Sequence, residues 1–143
     1  MAANAVLLDT CAVIWLANGD RMAAEAIAAI VAAGQAGGVL VSPISAWEVG
    51  LLSRKRPGQE APLAFVPDAQ TWFARVMAAP GIRAAPFSPA IAIAASCLPG
   101  DLHGDPGDRL IVATARHLGV PVVTRDRRII AYGRTGHVGA ITC

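Results

Sequence analysis

Short apolar runs alternate along this chain with longer segments whose apolar residues recur at helical spacing. Ala5 to Leu8 is the first such run, too short for a helix and closed by Asp9, so it predicts a buried strand. A helix follows over Cys11 to Ala17 and stops at Asn18 and Gly19. Asp20 is placed to cap the next helix, in which Met22, Ala26, Ile27 and Ile30 fall at helical spacing and Gly34 marks the end. Val39 to Val41 reads as a second buried strand. The helix after it carries Ile44, Trp47, Val49, Leu51 and Leu52 and has two candidate starts: Ser42 with Pro43, or a capping box of Ser45 and Glu48. Residues 54–67 hold three prolines and a glycine, which predicts a loop within one domain.

Asp68 opens a helix through Trp72, Phe73, Val76 and Met77, and Pro80 with Gly81 closes it. Ile82 to Phe87 predicts a third strand, weakened by its alanines and proline, and Ser88 with Pro89 starts a short helix over Ala90 to Cys97. After a loop rich in glycine and proline, the segment DPGDRLIVATAR, Asp105 to Arg116, sets Asp105 as N-cap, Pro106 as N1 and Asp108 at N3 of a helix that ends at Gly119. Val120 to Thr124 predicts a fourth strand, Asp126 caps a short helix through Ile129 and Ile130, and Val138 to Ile141 predicts a fifth strand. Near-continuous apolar strands separated by helices describe an α/β fold, an open parallel five-stranded sheet covered on both faces. Ligands of such sheets bind beyond the carboxyl ends of the strands, which places Asp9 and Asp126 at one edge.

A length of 143 residues fits one domain, 1–143, able to bury roughly two-thirds of its unfolded-chain surface. No apolar run approaches the roughly 18 residues of a membrane span, and MAANAVLLD has no basic n-region, so a cytoplasmic protein without a signal peptide is expected. Cys11, Cys97 and Cys143 form no CxxC pair and argue against both a disulfide framework and a zinc site. A mean hydropathy of +0.50 predicts apolar surface covered by a second copy or a partner segment. Trp15 and Trp47 are expected in the core. The net charge of +2 says little, but arginines cluster at Arg54 to Arg56 and Arg125 to Arg128, either as solvated tips or as a basic surround for a polyanion.

Taken singly, Asp9, Glu48, Asp108 and Asp126 each have a reading as a cap or first-turn acid. Taken together, four acids at the leading edges of four helices in one open sheet can face one crevice, where they repel and raise one another's pKa. A divalent cation relieves that cost, and carboxylates favour Mg²⁺ or Mn²⁺; no His or Cys stands at a spacing that points to zinc. Such an ion polarises a phosphoryl oxygen and activates water, which favours phosphodiester hydrolysis. Thr10 and Thr124 flank the site, with hydroxyls free either to bond a carboxylate or to satisfy local backbone.

LLDT at 7–10, SAWEVGLL at 45–52, DPGDRLIVATA at 105–115 and VVTRDRRI at 122–129 together resemble the PIN-domain family, and more closely the VapC toxins of bacterial type II toxin-antitoxin pairs. The resemblance covers nearly the whole chain. It implies a Mg²⁺- or Mn²⁺-dependent endoribonuclease that forms a homodimer and is held inactive by an antitoxin segment lying over the acidic site. The family acids match Asp9, Glu48, Asp108 and Asp126, the catalytic and metal-holding set, and Thr124 matches the small polar residue before the last acid. Asp105 belongs to a DPxDR variant of the motif and falls beside the ligands, while Arg109, Arg125, Arg127 and Arg128 are candidates to meet RNA phosphate. A receiver domain would want a late lysine, and the only lysine is Lys55. A haloacid-dehalogenase-like phosphatase would want an acid where Cys11 stands, and dinucleotide binding would want GxGxxG after the first strand. The rival from another class is a catalytically idle PIN fold used as a binding module.

Overall fold

The computed structural model describes residues 4–143; Met1 to Ala3, part of the stretch read above for a signal peptide, lie outside the described residues. In chain order the elements are β1 (Ala5–Leu8), α1 (Thr10–Asn18), α2 (Ala24–Gly34), β2 (Gly38–Val41), α3 (Pro43–Leu52), α4 (Ala69–Ala78), β3 (Ile82–Ala84), α5 (Pro89–Ser96), α6 (Pro106–Leu118), β4 (Val122–Thr124), α7 (Arg127–Arg134) and β5 (Ala140–Thr142). The strands form one sheet in the order β3-β2-β1-β4-β5, and every pairing is parallel. This is the open parallel five-stranded α/β sheet expected from the alternation of runs.

Side chains of a strand point alternately to the two faces of its sheet, and β1 shows why its run is unbroken. Ala5 and Leu7 join one core with Ile111, Val112 and Ala115 of α6 and Ile129 and Tyr132 of α7. Val6 and Leu8 join a second core with Ala12 and Val13 of α1 and Ala26, Ile30 and Ala33 of α2. Both faces of β1 are covered, so no position on it can be polar until the strand ends at Asp9. Among the described residues, no helix is long and apolar enough to cross a membrane.

Several local expectations give way. Asp20 does not cap α2, whose N-cap is Ala23 without a side-chain bond. The Asp20 amide instead donates to the Trp15 carbonyl at 2.9 Å, closing α1 behind Gly19 in its left-handed conformation. The capping box of Ser45 and Glu48 is not formed. Ser42 is the N-cap of α3, its hydroxyl accepting from the Ile44 amide at 3.0 Å, and Pro43 takes the first turn. That start frees the Glu48 carboxylate. β3 ends at Ala84 rather than Phe87, because Pro86 has no N–H to continue the ladder. β4 begins at Val122, after Pro121, and β5 at Ala140. Trp15 packs partly buried against the second core, but Trp47 is 51% exposed and is not a core residue.

Candidate active site

The chain leaves β1 to build β2 and β3 on one side and returns to build β4 and β5 on the other. The order therefore reverses between β1 and β4, and the crevice beyond their carboxyl ends is where an open α/β sheet offers a binding site. Asp9 follows β1 directly and Asp126 lies two residues beyond β4. Glu48 arrives from α3 and Asp108 from the first turn of α6. The four acids line one cleft of about 280 Å³, together with Thr10, Cys11, Trp15 and Arg125. A larger cavity, about 550 Å³, lies at the opposite ends of β4 and β5 against Arg116 and His137, and no acid lines it.

Each acid is fixed by local chemistry. Asp9 is the N-cap of α1: its Oδ1 accepts from the Ala12 amide at 2.8 Å, and its Oδ2 accepts from the Thr124 hydroxyl at 2.5 Å. The same Thr124 oxygen accepts from the Asp126 amide at 3.0 Å, so one buried threonine ties the two acids across the β1–β4 seam. Asp126 caps α7, its Oδ1 accepting from the amides of Arg128 at 2.8 Å and Ile129 at 3.1 Å. Thr10 donates to Glu48 Oε1 at 2.5 Å. Its single proton is thereby used, so at the 3.0 Å contact between Thr10 and Ser45 the serine is the donor. Both threonines thus bond carboxylates rather than only local backbone. Asp105 caps α6, its Oδ1 accepting from the Asp108 amide at 3.1 Å. Because Asp105 supplies the cap, the Asp108 carboxylate is not spent on the helix start and lines the cleft.

Burial and crowding resist ionisation here. Asp9 is raised above the ordinary carboxylate range chiefly by burial, against the lowering pull of Thr124 and Ala12. Glu48 is raised by burial against the pull of Thr10. Asp108 is raised from 3.8 to about 7, first by burial and then by repulsion from Asp105, Asp126, Glu48 and Asp9. The neighbouring Cys11 thiol is held up at about 11 by burial and the same carboxylates, which leaves it a neutral thiol.

These shifts set a pH dependence. A folded pKa above the unfolded one means that the folded chain keeps a proton the unfolded chain has lost. The contribution of Asp108 to stability is therefore complete below pH 3.8 and lost as pH rises through about 7. Asp9 and Glu48 act in the same sense. Metal-free protein should lose stability across that window, and Asp108→Asn should lose less. Urea midpoints measured from pH 4 to 8 check this, and a variant with the same slope as the native chain would contradict it.

The arginines divide. Arg109 is committed to the scaffold, donating to the carbonyls of Ala95 and Leu102, each at 3.0 Å; its guanidinium ties α5 and the following loop to α6 instead of facing the cleft. Arg125 lines the cleft but is held in place, donating to the carbonyls of Cys143 at 2.9 Å and Arg21 at 3.2 Å and stacking 3.7 Å above the Trp15 ring. Arg127 and Arg128 are exposed at the start of α7. Sequence spacing sets no histidine or cysteine among the acids as a zinc ligand, but the fold brings one histidine to them. His103 comes within 3.2 Å of Asp108, because the loop before α6 shares the mouth of that helix. Four residues stand between the two in sequence, and one His–Asp pair makes no metal motif by itself, so only the placement of His103 just upstream of a helix start could have signalled it.

The architecture agrees with the comparison to known proteins. The PIN domain model matches residues 6–134. The chain belongs to the PIN-domain family. This PIN domain is 35% identical over 125 residues to Ribonuclease VapC22 of Mycobacterium tuberculosis (strain ATCC 25618 / H37Rv), a match covering 87% of this chain and 88% of that one. Among solved structures it resembles VapBC2 from Rickettsia felis bound to a DNA fragment from their promoter, with a TM-score of 0.65, 16% identity, and 96% and 98% of the two chains covered. It also resembles FitAcB from Neisseria gonorrhoeae, with a TM-score of 0.52, 19% identity, and 95% and 96% covered. At those identities the likeness is one of fold.

Proposed function

We propose that this PIN domain is a divalent-metal-dependent endoribonuclease, the toxin of a type II toxin-antitoxin pair, hydrolysing RNA phosphodiester bonds in the cytoplasm to arrest translation and growth. The observation that carries the reading is the convergence of Asp9, Glu48, Asp108 and Asp126 in one cleft, where burial and neighbouring acids disfavour the charge of Asp9, Glu48 and Asp108. A fold keeps such a cluster only with a compensating cation or at a cost in stability. The 35% identity to a chain named as a ribonuclease supports the same activity.

The donor set fits Mg²⁺ or Mn²⁺: hard carboxylate oxygens, with one buried imidazole nitrogen, His103 Nε2, left without a hydrogen-bond partner beside them. Asp9 and Asp108 would hold the principal ion, with Glu48 and Asp126 completing the site or orienting water. An ion there supplies Lewis acidity to the phosphodiester and the attacking water. The chain's own residues do the rest. Thr124 and the Ala12 amide fix both oxygens of Asp9, Thr10 aims Glu48, and the cap from Asp105 holds the first turn that carries Asp108. The exposed Arg127 and Arg128, beside the ordered Arg125, offer positive charge to RNA phosphates. A cognate antitoxin is the expected partner. Exposed apolar side chains on α3 and α5, Trp47, Leu51 and Ile93, are candidates for the face of a homodimer.

Induced expression in a bacterial host tests the biological part. The native chain should arrest growth within a few generations, and Asp108→Asn at equal protein level should not. Growth arrest by both would show that toxicity does not come from this site, and arrest by neither would return the idle binding module as the better reading.

A further inference from the structure

His103 faces the acids from outside their set. Its side chain is 14% exposed, and Nε2 lies 3.2 Å from Asp108 Oδ2 yet is buried without a hydrogen bond. A buried polar atom left unpaired is unfavourable, so its position calls for a partner. Donor atoms of His103, Asp108 and Asp126 all lie within 4.8 Å of one another. Donors gathered this closely could serve one cation after a small side-chain adjustment. The loop bearing His103 is also anchored. Leu102 is buried in the α6 core, and Arg109 holds the Leu102 carbonyl.

We propose that His103 supplies one nitrogen donor to the divalent ion that Asp108 holds and Asp126 helps to complete, giving this site a preference for Mn²⁺ over Mg²⁺ beyond that of its carboxylates. The inference rests on the metal-holding part of the function proposed above. Mn²⁺, although it too favours oxygen, is a transition ion that accepts an imidazole nitrogen more readily than Mg²⁺, which keeps to oxygen and water. Ligation through Nε2 puts the ring proton on Nδ1. Nδ1 now accepts from the Asp105 amide at 3.3 Å, a long contact on an exposed group that gives way at small cost.

Calorimetric titration of the full chain with MnCl₂ and with MgCl₂, without RNA, tests this in the native protein, His103→Ala and His103→Gln. Loss of the imidazole should weaken Mn²⁺ by about tenfold or more and Mg²⁺ by less than about threefold, so that the ratio of the two affinities falls. Pulsed electron paramagnetic resonance on the native chain with Mn²⁺ supplies a readout that needs no variant: a histidine nitrogen coupling is expected, and it should vanish in the His103 variants. Equal weakening of both ions, or no nitrogen coupling, overturns the proposal while leaving a carboxylate metal site standing. A folded native chain that binds neither ion overturns the metal site as well.

Discussion

Asp108→Asn is expected to lower RNA cleavage by a hundredfold to a thousandfold while raising the urea midpoint of the metal-free protein above pH 7. The two effects share one cause. Burial and four neighbouring acids oppose a charge on Asp108, and asparagine removes that charge without changing the shape of the side chain. The helix start should survive, because Asp105 supplies the cap and binds the backbone amide of residue 108, not its side chain. What is lost is a hard anionic donor over the cleft, where an amide oxygen is a poor substitute for holding a divalent cation. Sites that hold unfavourable charge for function commonly gain stability when that charge is removed. Single-turnover cleavage and urea unfolding at pH 8 read the two effects separately. Native-level cleavage would remove Asp108 from the mechanism, and a marked loss of stability would show that its role is structural.

Ile111→Ala is expected to cost about 3 kcal/mol, the middle of the range for a large-to-small change in a packed core, and to lower the melting temperature by roughly 10 °C. Ile111 is wholly buried and lies one turn after Asp108 on α6, in the core that joins this helix to Leu7 of β1 and Val122 of β4. The same packing that stabilises the sheet therefore sets the height of Asp108 over the switch point. At temperatures where the variant remains folded, its metal affinity should fall by only a few fold, because the acids themselves are untouched. Thermal unfolding checks the first part and calorimetry the second. A loss below about 1 kcal/mol would mean that α6 rests on the sheet less tightly than its burial indicates.

Much of this arrangement is legible in residue order, and what is not has physical causes. β1 is readable because both of its faces are buried, which forces an unbroken apolar run up to Asp9. α6 is readable at both ends, through the Asp105 cap with Pro106 at the first turn and through Gly119 in the left-handed conformation. The gathering of Asp9, Glu48, Asp108 and Asp126 follows once the sheet is taken as parallel, since each acid stands at a helix start or one turn into it. Spacing alone misplaces Glu48 in a capping box, because Ser45 and Glu48 fit that pattern locally while Ser42, Pro43 and the distant Thr10 decide the outcome. Asp20 fails as a cap for a similar reason: its amide closes α1, and α2 starts only after the buried Met22, with Ala23 as its N-cap. Trp47 looks like core by composition, and only its direction on α3 leaves it in solvent. His103 is invisible to motif spacing because its relation to Asp108 is made by a loop folding back over a helix mouth. The commitments of Arg109 and Arg125 to backbone carbonyls depend on loop paths that no periodicity encodes.

Whether these acids form a metal-dependent ribonuclease centre is tested most directly by cleavage of RNA with purified chain under four conditions: Mg²⁺, Mn²⁺, chelator, and chelator followed by excess Mn²⁺, with the cut ends mapped. Discrete cuts are expected with either ion, strongest with Mn²⁺, none with chelator, and full recovery when Mn²⁺ is returned. Cleavage that persists in chelator, or that Asp108→Asn retains in full, would contradict the assignment of this cleft as the catalytic site.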